Sequence, residues 1–123
     1  MKKPFKVLLA ICALGVTFLT TSCTKEYIQT APPPDPAVPV LFSTDIQPFF
    51  NARCTNCHGN IAPNLESDVS YNNLIQGGYI NLATPESSLL YTKINTGGSM
   101  EAFANSAERQ MTLLWIQQGA LNN

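Results

Sequence analysis

Hydrophobic and polar positions change character three times along the chain. An apolar run extends from Val7 to Leu19, a polar and then proline-rich stretch from Thr24 to Val40, and from Leu41 onward apolar residues recur at helical spacing. In this third region Ile46, Phe49, Phe50, Cys54 and Cys57 fall on one side of a helix, predicting an element from near Ser43-Thr44-Asp45 to Cys57. Thr44 with Gln47 fits a capping box at its start, and Pro48 is tolerable there because it lies in or next to the first turn. A short helix is expected around Tyr71 to Ile75, ending at Gly77-Gly78. Thr84-Pro85-Glu86 supplies a capping threonine and a first-turn proline, and leads into Leu89, Leu90 and Ile94. The last helix starts after Asn105 or Ser106 and stops at Gly119, with Ala107, Met111, Leu114 and Trp115 as its apolar face. No alternating strand pattern is visible, so the domain is expected to be all-α, with about four short helices.

The first two regions read as delivery rather than fold. Lys2, Lys3 and Lys6 ahead of the apolar run make a secretory signal, too short for a comfortable membrane span. Thr20-Thr21-Ser22-Cys23 then resembles a bacterial lipobox with its leucine, Leu19, one place further from the cysteine than usual. This divides the chain into a lipoprotein-type signal at 1–22, a lipidated Cys23 with a tether at 23–40, and a domain at 41–123. A plain soluble secretion signal is the alternative. Five prolines between Ala31 and Pro39 favour an extended spacer, able to hold the domain up to roughly 50 Å from a lipid surface at about 3.1 Å per residue. Without the signal the chain keeps four basic residues, Lys25, Arg53, Lys93 and Arg109, against eight acids. This mildly acidic balance with no basic cluster argues against nucleic acid as a partner.

Cysteine and histidine usage brings in the chemistry. Cys12 lies in the signal and Cys23 at the expected lipid site, leaving only Cys54 and Cys57 in the domain. Cys54-Thr55-Asn56-Cys57-His58 is the attachment pattern of c-type haem. Positions i, i+3 and i+4 share a helix face, so two thiols can meet two vinyl groups while the imidazole reaches the iron. That attachment occurs outside the bacterial cytoplasm, where the signal independently sends the chain. Zinc would need about four ligands, and the domain holds no cysteine or histidine beyond this motif. A redox dithiol expects a preceding strand in a βαβ setting, whereas an amphipathic helix precedes this one. His58 is the only histidine, so bis-histidine ligation within one molecule is impossible. The other ligand is methionine, water, an amine or nothing. Met111 reads as core filler beside Leu114 and Trp115. Met100 follows Thr96-Gly97-Gly98-Ser99, a loop able to approach a flat cofactor closely, about forty residues beyond His58. Met100 is therefore the favoured distal ligand.

Residues 41–123 resemble a small class I type monohaem cytochrome c domain, most like those in lipoproteins of Bacteroidetes-like bacteria. The resemblance runs through Asp45-Ile46-Gln47-Pro48-Phe49-Phe50, Cys54 to His58, Ser70-Tyr71-Asn72-Asn73-Leu74-Ile75 and Gly77-Gly78. It continues in Pro85 to Tyr91, Met100, and Trp115-Ile116-Gln117-Gln118-Gly119-Ala120. It implies first and last helices that cross, haem c in a methionine–histidine crevice, and Phe49, Phe50, Leu114 and Trp115 as packing residues. It also makes Pro63 a candidate to present its carbonyl to the His58 ring. Such domains commonly carry proline after the distal methionine, whereas Glu101 and Ala102 follow Met100 here.

The function implied is electron transfer between redox partner proteins by a carrier anchored to a bacterial membrane, at the periplasmic side or cell surface, rather than an enzyme. Two alternatives remain: a peroxidase-like activity, for which no distal histidine exists to move protons, and a gas-binding sensor, each at an open sixth iron position.

Overall fold

The computed structural model describes residues 32–123; the expected signal, the lipidation site Cys23 and the first part of the tether lie outside them. Among the described residues every regular element is helical, as the apolar spacing requires. A π-helical turn at Phe42–Ile46 runs into α1 (Gln47–Arg53), and Cys54 separates this from α2 (Thr55–His58). Next come α3 (Ser70–Gln76), a 3-10 turn at Pro85–Ser87, α4 (Leu89–Ile94), a second 3-10 turn at Glu101–Phe103, and α5 (Ser106–Gln117).

The start of the first helix differs from the expected capping box. Its entry is at Leu41, whose N–H donates to the Asp45 carboxylate at 2.8 Å, and Thr44 makes no cap. The next two N–H groups, of Phe42 and Ser43, donate to the side chain and main chain of Asn123 at 2.9 Å each. The orphan donors of the first turn are thus satisfied by the far end of the chain. Gln47 is buried instead of capping. Its Nε2 donates to the Leu65 carbonyl and to Asn51, and its Oε1 accepts from the Ser70 hydroxyl. A buried amide with every polar atom partnered costs little, and here it fastens the Gly59–Val69 loop to α1.

The core forms where the first helix, α3 and α5 meet. Phe42 packs against Trp115 with ring centroids 5.2 Å apart and against Tyr71 at 5.3 Å, edge-on, with Phe50 at 6.2 Å. Phe50, Leu74 and Trp115 have no exposed surface. The expected packing residues Phe49, Phe50, Leu114 and Trp115 are all buried, and Met111 packs on the cluster's edge. Trp115 Nε1 donates to the Leu121 carbonyl and the Tyr71 hydroxyl to that of Ala120, which folds the C-terminus back beneath the aromatic cluster.

The proline-rich stretch does not remain a free spacer to its end. Val40 is buried, and its N–H donates to Gln118 Oε1 at 2.7 Å. Gln118 Nε2 donates in turn to the Val38 carbonyl at 2.9 Å and the Pro36 carbonyl at 3.3 Å. The packed chain therefore begins several residues before Leu41, because one glutamine satisfies a backbone that proline has left without its own ladder.

Candidate functional site

Helical hydrogen bonding continues through the break at Cys54: its N–H donates to the Phe50 carbonyl, and the His58 N–H donates to the Cys54 carbonyl, each at 2.8 Å. Cys54, Cys57 and His58 consequently line one cleft, as the spacing predicted. Both cysteines are free thiols, Cys54 half-buried and Cys57 exposed. Burial, reinforced by the Glu108 carboxylate and only partly opposed by Arg53, pushes the Cys54 thiol up to about 11. A dithiol oxidoreductase requires the opposite shift in its attacking cysteine.

The loop after α2 orients the imidazole. His58 Nδ1 lies 3.1 Å from the Pro63 carbonyl and 3.3 Å from that of Ile61. With Nδ1 protonated and donating there, Nε2 is left as the lone-pair nitrogen, the arrangement that fixes a ligating histidine. The loop is held by the Asn64 side chain on the Gly59 carbonyl, by Asn73 on the Asn64 carbonyl, and by Gln47 on Leu65.

Met100 lines the same cleft from the opposite part of the chain and is partly exposed at 36%. Its loop sits directly on the C-terminal end of α4. The Met100 N–H donates to the Lys93 carbonyl at 2.8 Å. A Cβ on Gly98 would lie 2.3 Å from the Thr92 and Lys93 carbonyl oxygens, so only glycine permits this approach. Met111 does not reach the cleft. Phe50, Leu65, Leu90, Ile94 and Phe103 supply apolar walls, Tyr79 and Lys93 a polar margin, and the cleft measures about 470 Å³. That volume lies within the usual range of cofactor pockets, roughly 300–1,000 Å³.

Cys54, Cys57, His58 and Met100 therefore line one cleft, and their donor set fits haem c: two thiols, an oriented imidazole and a thioether amid apolar walls. Among the described residues no group of three His, Cys, Asp or Glu side chains gathers as it would for tetrahedral zinc. Arg53, at the rim, is engaged by Glu108 at 3.0 Å. Sequence reasoning missed Gln47, because its partners are distant in the chain. It also missed Lys93, Tyr79 and Phe103, which carried no motif.

Comparison with protein-family models, with curated proteins and with solved structures gave no match to this chain.

Proposed function

We propose that this chain is a monohaem c-type cytochrome of class I type, acting in electron transfer and tethered to a bacterial membrane through a lipid on Cys23. The observation that carries the reading is the convergence of Cys54, Cys57, His58 and Met100 on one apolar cleft. When bound, haem c supplies one-electron exchange at its iron, with no substrate transformed. Cys54 and Cys57 would hold it as thioethers, and His58 would ligate through Nε2 while the Pro63 carbonyl keeps the ring from turning. Met100 would supply a second protein ligand to the iron, and thioether ligation of this kind would raise the reduction potential and bar outside ligands. Phe50, Leu65, Leu90 and Ile94 exclude water and lower the local dielectric. Its partners are redox proteins that reach the exposed rim of this cleft.

Intact mass and absorption spectra of the exported protein test the reading. One covalent haem is expected, lost when Cys54 and Cys57 are both replaced by alanine. Oxidised protein should show the far-red methionine–iron charge-transfer band and lose it in Met100→Ala. A haem-free mass after export with the c-type maturation machinery would refute the cofactor. Ready binding of carbon monoxide by reduced protein that lacks the band would favour the peroxidase-like or gas-sensing alternatives. Separately, Cys23→Ser should move the protein from the membrane fraction to the soluble extract. An unchanged distribution would remove the lipid anchor from the reading.

A further inference from the structure

Arg109 stands in the second turn of α5, away from the cleft, yet is the most heavily bonded cation among the described residues. Its Nε and one terminal nitrogen donate to the Ala104 carbonyl, at 3.1 and 2.7 Å. The same terminal nitrogen reaches the Glu101 carbonyl at 3.2 Å, and the other donates to the Thr96 hydroxyl at 3.1 Å. The Glu101 carboxylate lies 3.8 Å away and also accepts the Gly97 N–H at 2.7 Å. One guanidinium therefore grips the chain four residues before Met100, one residue after it and four residues after it. Its planar fork is suited to this, since it holds several acceptors in fixed relative positions.

We infer that Arg109 is a positioning residue for Met100, clamping both flanks of the loop so that the thioether is presented to the cleft. The inference rests on the reading of Met100 as distal ligand. It also accounts for the missing proline after Met100: the stiffness comes from Glu101, through its bonds to Gly97 and Arg109, and from the 3-10 turn that follows. The aromatic core at Phe42, Phe50 and Trp115 makes no use of Arg109, so loosening the clamp is felt at Met100 before it is felt by the fold.

The experiment uses the full exported, haem-loaded chain, with imidazole as a probe that competes with Met100. Its apparent affinity rises as the fraction of molecules with Met100 in place falls. In oxidised protein Arg109→Gln should weaken the far-red band and raise imidazole affinity about tenfold or more, as loss of charge-assisted hydrogen bonds implies. Arg109→Lys keeps the charge without the fork and should fall between. In a Met100→Ala background, Arg109→Gln should add nothing, which separates positioning of Met100 from general support of the domain. A band that persists in Arg109→Gln, with imidazole affinity within about twofold of the parent, overturns the clamp and leaves Met100 as ligand. A parent protein without the band, whose imidazole affinity is indifferent to Met100→Ala, overturns the ligand reading and the clamp with it. If Arg109→Gln does not accumulate, Thr96→Val removes the hydroxyl arm and Glu101→Ala the carboxylate arm. Both should raise imidazole affinity by about twofold or more, and no change in either overturns the inference.

Discussion

Cys54 and Cys57 are chemically unequal, and the inequality is measurable on the chain itself. Cys54 is half-buried against the hydrophobic core, within reach of the Glu108 charge, while Cys57 is exposed. In chain produced without its signal and kept reduced, iodoacetamide should modify Cys57 first, with Cys54 slower by roughly tenfold or more near neutral pH, because only thiolate reacts. The sign of the linked stability follows from the same shift. A thiol raised from 9.0 to about 11 retains its proton in the folded state while the unfolded chain ionises. Folded protein then binds more protons than unfolded across that window. Stability is accordingly full below about pH 9 and declines between 9 and 11. Equal labelling rates, or no alkaline decline relative to Cys54→Ala, would contradict the buried environment. At this scale the sequence was legible where spacing alone decided the outcome, as at Cys54, Cys57 and His58. Gln47 was misread, because what it contacts, Leu65 and Ser70, is brought near only by the fold.

Elements were legible in proportion to how local their determinants are. α5 begins where its residues predicted, and the reason is a reciprocal cap: the Asn105 side chain accepts the Glu108 N–H at 2.9 Å while the Glu108 carboxylate accepts the Asn105 N–H at 2.7 Å. Asn105→Ala should cost about 1 kcal/mol in denaturant unfolding, typical of a lost N-cap, with no change in the slope of the transition. The entry to the first helix was not legible, since Asn123 completes it from the other end of the chain and Phe42, outside the predicted helix, proves central to the core. Proline was a sound start signal near Thr84, yet what forms is a 3-10 turn, interrupted at Ser88 before α4. The buried Ser88 hydroxyl is spent there on Asn81 rather than on extending the helix. Gly98 marks the sharpest element-level constraint. With two carbonyl oxygens 2.3 Å from where a Cβ would stand, Gly98→Ala must lift the Met100 loop off α4. We expect a loss of about 1–3 kcal/mol, as for other overpacked sites, together with a diminished far-red band. An unchanged band in that variant would mean the loop moves without carrying Met100.

Across the whole molecule α5 works as an axis with different tasks at its two ends. Near its N-terminus Glu108 meets Arg53 beside the cysteine motif, and Arg109 grips the Met100 loop. Just beyond its C-terminus Gln118 grips the incoming chain at Pro36, Val38 and Val40. Glu108 and Gln118 are ten residues apart, about 15 Å along a helix at 1.5 Å per residue. The proline-rich approach therefore joins the domain at the end away from Cys54, Cys57 and His58. If Cys23 carries a lipid, the contacts at Pro36 leave twelve residues, 24 to 35, between the two, a span of at most roughly 37 Å at about 3.1 Å per residue. Composition read the whole stretch as spacer because proline and small polar residues build no core. The docking depends on one glutamine about eighty positions away. Gln118→Ala removes the donor to the Pro36 and Val38 carbonyls and the acceptor of the Val40 N–H. It leaves the aromatic cluster intact, so the expected loss is only about 1–2 kcal/mol. Hydrogen exchange should localise it, with the Val40 amide accelerating at least about tenfold while amides within α5 are unaffected. Because the cleft lies at the other end of the axis, the visible spectrum and imidazole affinity should match those of the parent. A Val40 amide as protected in Gln118→Ala as in the parent would show that the apolar seat of Val40 holds this segment without the glutamine. A shift in the spectrum would instead show that the two ends of α5 are coupled.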